Sequence, residues 1–254
     1  MKFSRALGFP LTILALTASA YTRGQTPLKQ DVIGQARSAY YSLARKEFKG
    51  FNATVEPNWE MILAQTATPS NLKMFRAIQF SMRVDANGAV TVTHEAGADA
   101  PNAEVVNKVH FDVQRLVTGF FNVWRIFVVG SPFLETPSDA KVENGEKQYR
   151  VSYPTQAGAM TITMTSDLLI TEWNLAGPTL KRTMKPQFQK TVDGFLLTAY
   201  YATFEPVGDG IKTTLDFKIE YQDVNGMKVP RKVRFNGMHG SEPVEAELVF
   251  TIKG

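Results

Sequence analysis

Polar and apolar residues alternate most regularly between Ile211 and Ile252, where three successive segments keep their apolar side chains on one parity. Ile211, Leu215, Phe217, Ile219 and Tyr221 take odd positions, against Lys212, Thr214, Asp216, Lys218 and Glu220 on even ones. Met227, Val229, Val233 and Phe235 then alternate with Lys228, Lys232, Arg234 and Asn236, and Val244, Ala246, Leu248, Phe250 and Ile252 with Glu245, Glu247 and Thr251. Strand side chains point alternately to opposite faces, so this stretch reads as an antiparallel meander with one buried face and one wet face. Parity also bears on register. A two-residue Asn225-Gly226 turn sets Tyr221 opposite Pro230 and apolar residues opposite polar ones. The pattern therefore predicts a three-residue loop, Val224-Asn225-Gly226, pairing Tyr221 with Val229, Phe217 with Val233 and Leu215 with Phe235.

The same device occurs earlier. Ile78, Phe80, Met82 and Val84 share a face, and an Ala86-Asn87-Gly88 loop brings Val90, Val92 and His94 onto it, pairing Val84 with Val90 and Met82 with Val92. Phe51 to Trp59 reads as a strand broken at Pro57, as at an edge or a bulge. Further strands are predicted around Tyr149, Val151 and Tyr153; at Met160, Ile162 and Met164; and over 169–175, 180–188 and 195–204, with turns at 155–158, Gly177-Pro178 and Asp193-Gly194. Roughly ten strands at this spacing predict a mainly β (α+β) domain built as a barrel or a strongly curled sheet.

Two stretches follow helical spacing instead. Leu28, Val32, Ile33, Ala36, Tyr40 and Leu43 form one apolar stripe, starting at Thr26-Pro27. Val105, Val109, Val113, Leu116, Phe120 and Trp124 form another, within a helix predicted from Pro101 to Val128 and stopped by Gly130 and Pro132. Its last turns, residues 120–129, are apolar nearly all round, as expected of a helix end that plugs a β core or forms a lid over an apolar ligand. Phe120 and Trp124 follow the stripe and fit the plug; Phe121 and Phe127 lie off its centre and fit the lid.

Composition narrows the setting. Lys2 and Arg5, an apolar run from Ala6 to Ala20 and the final Ala18-Ser19-Ala20 have the layout of a secretory signal cut after Ala20, with residues 21–254 as one β domain. That run is shorter than the ~20 residues that span a bilayer, and no later segment is apolar enough to cross one. The chain holds no cysteine, which removes disulfides, a thiol nucleophile and a lipid-attachment thiol. The net charge of +4 includes Lys2 and Arg5. What remains is too weak to argue for nucleic acid or an anionic membrane surface. The expected location is periplasmic or secreted.

Chemistry-bearing motifs are missing. His94, His110 and His239 lack metal-ligand spacing, and neither Gly-x-Ser-x-Gly, a phosphate-binding glycine loop nor a calcium loop occurs. The chain reads as no enzyme, with no catalytic residue, metal or cofactor. The positive signal is the predicted inner face, rich in methionine and aromatics: Met82, Met160, Met164, Trp173, Met184, Tyr200, Phe217, Tyr221 and Met227. Methionine adapts to varied apolar shapes and equally fills irregular cores, so a cavity and a packed core both fit.

Tyr221-Gln222-Asp223-Val224-Asn225-Gly226-Met227-Lys228-Val229-Pro230-Arg231-Lys232-Val233 resembles a hairpin of the LolA/LolB-like lipoprotein-carrier superfamily, in which a polar glycine turn leads into a short apolar-x-proline strand. Residues 168–173 and 194–197 also look like strands of that fold. The resemblance implies an incomplete, strongly curved antiparallel barrel, with an N-terminal and a mid-chain helix closing or plugging it, and an apolar cavity that accepts acyl chains. It carries over no individual functional residue. The expected function is an exported periplasmic binding or carrier protein for a lipid, an acylated protein or another apolar ligand. Its candidate cavity or lid residues are Met82, Phe120, Phe121, Trp124, Phe127, Met160, Met164, Trp173, Phe217 and Tyr221. The alternative is a non-enzymatic envelope interaction module with a filled core and a protein partner.

Overall fold

The computed structural model describes residues 29–134 and 136–253, so the expected signal segment and the Thr26-Pro27 helix start lie outside the described residues. The described chain is mainly antiparallel β: one twelve-stranded open sheet, β1 (Phe51–Pro57), β2 (Ile78–Val84), β3 (Val90–Ala96), β4 (Lys141–Asn144), β5 (Gln148–Thr155), β6 (Gly158–Thr165), β7 (Ile170–Ala176), β8 (Leu180–Thr191), β9 (Gly194–Pro206), β10 (Thr213–Val224), β11 (Met227–His239) and β12 (Glu242–Lys253). Their order is β3-β2-β1-β12-β11-β10-β9-β8-β7-β6-β5-β4. Every neighbour pair is consecutive in the chain except one, where β1 joins β12 through Ala53↔Ile252 and Val55↔Phe250. The two free edges, β3 and β4, are therefore consecutive in the chain.

The segment between those edges is helical. Helix α4 (Ala103–Trp124) follows α1 (Lys29–Ala39), α2 (Trp59–Leu63) and α3 (Pro69–Arg76). The Asn102 side chain caps α4 by accepting from the Val105 N–H at 3.0 Å. Its last turn widens into a π-turn, Arg125–Val129, closed by Gly130 N–H donating to Arg125 O at 3.1 Å. The extra residue in that turn rotates the helix phase. As a result Phe127, Val128 and Val129 are all buried, although a regular helix stripe places Phe127 off centre.

One sheet face is apolar throughout and carries the core. Met82 pairs with Ala53, Val55 with Phe250, Leu248 with Val233, Phe235 with Phe217, Phe217 with Tyr200, and Trp173 with both Met184 and Ile162. The β2–β3 hairpin has the expected register, with Val84↔Val90 and Met82↔Val92 around an 86–88 loop.

The expected β10–β11 register is corrected. The turn is the two-residue Asn225-Gly226, both at positive φ (53° and 76°), and Tyr221 does face Pro230. Parity is restored one step later, because Glu220 pairs with Lys232 and leaves Arg231 as the extra residue of a bulge. Phe217 therefore meets Phe235, not Val233. Pro230 has no N–H for a central ladder, and the Gln222 side-chain amide fills the break by donating to Pro230 O and Phe250 O, each at 3.2 Å.

One end of the sheet is closed by the residues after α1. Tyr40 donates its hydroxyl to Leu168 O and accepts from Ile170 N–H, both at 2.7 Å, while Tyr41 accepts from Lys228 N–H at 2.8 Å. Two adjacent tyrosines thus tie down turns of β7 and β11. Ser42 donates to Val129 O at 3.2 Å and so fixes the π-turn at this same end.

Candidate functional site

Eight of the ten candidate residues lie in packed surroundings. Phe120, Phe121, Trp124 and Phe127 are each at most 1% exposed. Phe121 contacts Trp124 (ring centroids 5.3 Å), Phe250 (5.6 Å) and Phe51 (6.2 Å), and Phe127 contacts Phe188 (5.9 Å). Phe121 and Phe127, expected on sequence to face a ligand, are buried as deeply as Phe120 and Trp124. Met82 and Met164 are buried beside their strand partners, and Phe217 stacks on Tyr200 at 4.4 Å. Tyr221 is half-buried; its hydroxyl donates to Leu197 O at 2.7 Å, and desolvation pushes its pKa far above the ordinary phenol value. The Trp124 indole N–H lies beside that hydroxyl but makes no regular hydrogen bond among the described residues.

Met160 and Trp173 are buried in the same core, at 7% and 8% exposed. Both line a cleft of about 760 Å³. One wall is the β2–β3 turn at Ala86 and Asn87, the other is Tyr153, Pro154 and Thr155 of β5 with Met160 of β6 and Trp173 of β7. Arg125, Ile126 and Val129 of the π-turn and the following Gly130, Ser131, Pro132, Leu134 and Pro137 complete it. The cleft thus lies between strands near the two free edges, beneath the segment that joins them. A volume of this size falls within the ~300–1,000 Å³ of small-molecule sites.

The segment after the π-turn is held by Arg37 of α1, which donates to Phe133 O (2.9 Å) and Thr136 O (3.2 Å). The β2–β3 turn is fitted as closely. Gly88 has φ +79°, and a Cβ placed there falls 2.9 Å from both Arg125 Cγ and Val129 Cγ2. Only a glycine lets the turn approach the π-turn this closely. Leu134 stays 65% exposed at the rim.

The histidines, far apart in sequence, are partly brought together. His110 of α4 and His94 of β3 have ring centroids 4.5 Å apart. His239 pairs with the Thr213 hydroxyl through Nδ1 at 2.8 Å. Among the described residues no group of three or more His, Cys, Asp or Glu is placed to hold a metal.

Sequence reasoning missed Arg125, Leu134, Asn87 and the edge-to-edge placement of the cleft. Gly88 was the available signal, since a glycine turn beside a helix end marks a close backbone approach. Compared with protein-family models, curated proteins and solved structures, the chain matches none.

Proposed function

We propose that the protein is an exported, periplasmic binding or carrier protein for an acyl chain or similar apolar ligand, held in the cleft over Met160 and Trp173. The observation that carries this is the cleft itself: about 760 Å³, with a methionine, a tryptophan, Ile126, Val129 and Leu134 among its lining residues, beside the two free edges of the sheet. Methionine and aromatic walls suit flexible apolar ligands, which make no directional demands. Export rests on the signal-like N-terminus.

The packing also supports an incomplete, curled barrel of the LolA/LolB-like kind. Phe121 reaches β1 and β12, while Phe127, six residues on, reaches β8. In a flat sheet β1 and β8 lie five strand spacings apart, about 24 Å. Six helical residues rise only about 9 Å. A sheet curled around α4 brings both contacts within reach.

Organic extraction of the purified protein, followed by mass spectrometry, tests the function. A co-purified lipid, or displacement of a bound fluorescent fatty acid by unlabelled fatty acid, is the expected result; neither being found would sink it. The tightly packed aromatic end of α4 favours the second reading, an envelope interaction module, and that outcome would leave it standing.

A further inference from the structure

The geometry points to a ligand with a monoanionic headgroup, a free fatty acid rather than a neutral lipid, with its carboxylate paired to Arg125. This rests on the carrier function proposed above and specifies its ligand. Arg125 is the one charged side chain among the described residues that line the cleft. Three other cations near this end of the fold are already engaged. Arg37 donates to Phe133 O and Thr136 O, Arg45 donates to Tyr40 O, and Lys46 pairs with Asp193 at 2.9 Å. Among the described residues the Arg125 guanidinium has neither a hydrogen bond nor a salt bridge.

The stem of Arg125 packs over Gly88 in the close approach already described, and its exposed side chain shares the cleft lining with Ile126, Val129, Met160 and Trp173. Exposed Leu134 on the same rim offers apolar surface that an entering chain would cover. A guanidinium presents a planar fork of donors that matches both oxygens of a carboxylate, and a hydroxyl headgroup offers no such match. One guanidinium matches one negative charge.

Displacement of N-phenyl-1-naphthylamine, a neutral fluorescent probe, by palmitate and by hexadecanol tests this, because the two share a chain length and differ in headgroup charge. The expected result is palmitate binding about tenfold more tightly than hexadecanol, the advantage of a charge-assisted pair over a neutral one. Arg125→Gln should remove that advantage, weakening palmitate about tenfold more than hexadecanol, and Arg125→Lys should restore part of it. Equal binding of the two ligands to the unaltered protein, or an equal effect of Arg125→Gln on both, overturns the headgroup assignment while leaving carriage intact. Displacement by neither ligand removes the carrier function and the assignment with it.

Discussion

The imidazole of His110 on α4 lies 4.5 Å, centroid to centroid, from that of His94 on the free edge strand β3, and Phe80 of β2 stacks on His110 at 6.5 Å. The pair joins the mid-chain helix to the edge of the sheet. Desolvation, then the neighbouring His94, hold the His110 pKa below its ordinary value of 6.5. The unfolded chain therefore binds a proton more readily than the folded one. Stability from this contact is present above about pH 6.5 and is lost as pH falls through that value toward the folded pKa. Denaturant midpoints should decline between pH 7 and pH 5, and His110→Phe should flatten the decline. An undiminished slope in the variant would assign the acid sensitivity to other groups.

Trp124→Ala and Phe127→Ala should both destabilise the protein by about 3–5 kcal/mol, as expected for large aromatics removed from a full core. Both are fully buried, on either side of the switch into the π-turn. Urea unfolding of the two variants side by side checks this. A loss below about 1 kcal/mol for Phe127→Ala would mean that the π-turn can move to refill the space.

Gly88→Ala combines a positive φ with contacts of 2.9 Å to Arg125 and Val129. It should cost about 1–3 kcal/mol from backbone strain alone. It should also weaken probe binding in the cleft, because the turn forms one wall and packs directly on the π-turn residues that complete it. A variant with a lowered melting temperature and unchanged probe affinity would separate the two roles.

Tyr40→Phe removes one hydroxyl that both donates to Leu168 O and accepts from Ile170 N–H in a buried setting. The expected cost is about 1–3 kcal/mol, since both backbone groups are left without that partner. Burial also raises the Tyr40 pKa well above 10, so the folded state holds its phenolic proton longer than the unfolded one. Stability should therefore fall as pH rises above about 10, and less steeply in Tyr40→Phe. Circular dichroism across an alkaline titration gives the comparison.

Local pattern was legible wherever one hairpin decided it. The Val84↔Val90 pairing followed from alternation and one glycine, and the long helix followed from its apolar stripe and its stop signals. The β10–β11 register did not, because parity assumes an unbroken ladder and the Arg231 bulge absorbs one residue. Pro230 held the missing hint, since a proline in a central strand demands a bulge. Short α2 and α3 fell below the length at which periodicity speaks, and β4 is only four residues long. The cleft was illegible for a different reason. Asn87, Arg125, Thr155 and Trp173 meet only after β3 and β4 have become the two free edges, and no local spacing encodes that.

The ladder between β1 and β12 has a consequence for folding rate. It joins Val55 to Phe250, from nearly opposite ends of the described chain, whereas every other ladder joins strands consecutive in sequence. The entropy of closing the longest loop falls on this one joint, which places folding toward the slow end of β proteins, about milliseconds to seconds. Until β12 arrives, the β1–β3 unit carries Val55, Phe80 and Met82 with one neighbour missing, so a newly made chain depends on this final pairing to keep those side chains from other chains.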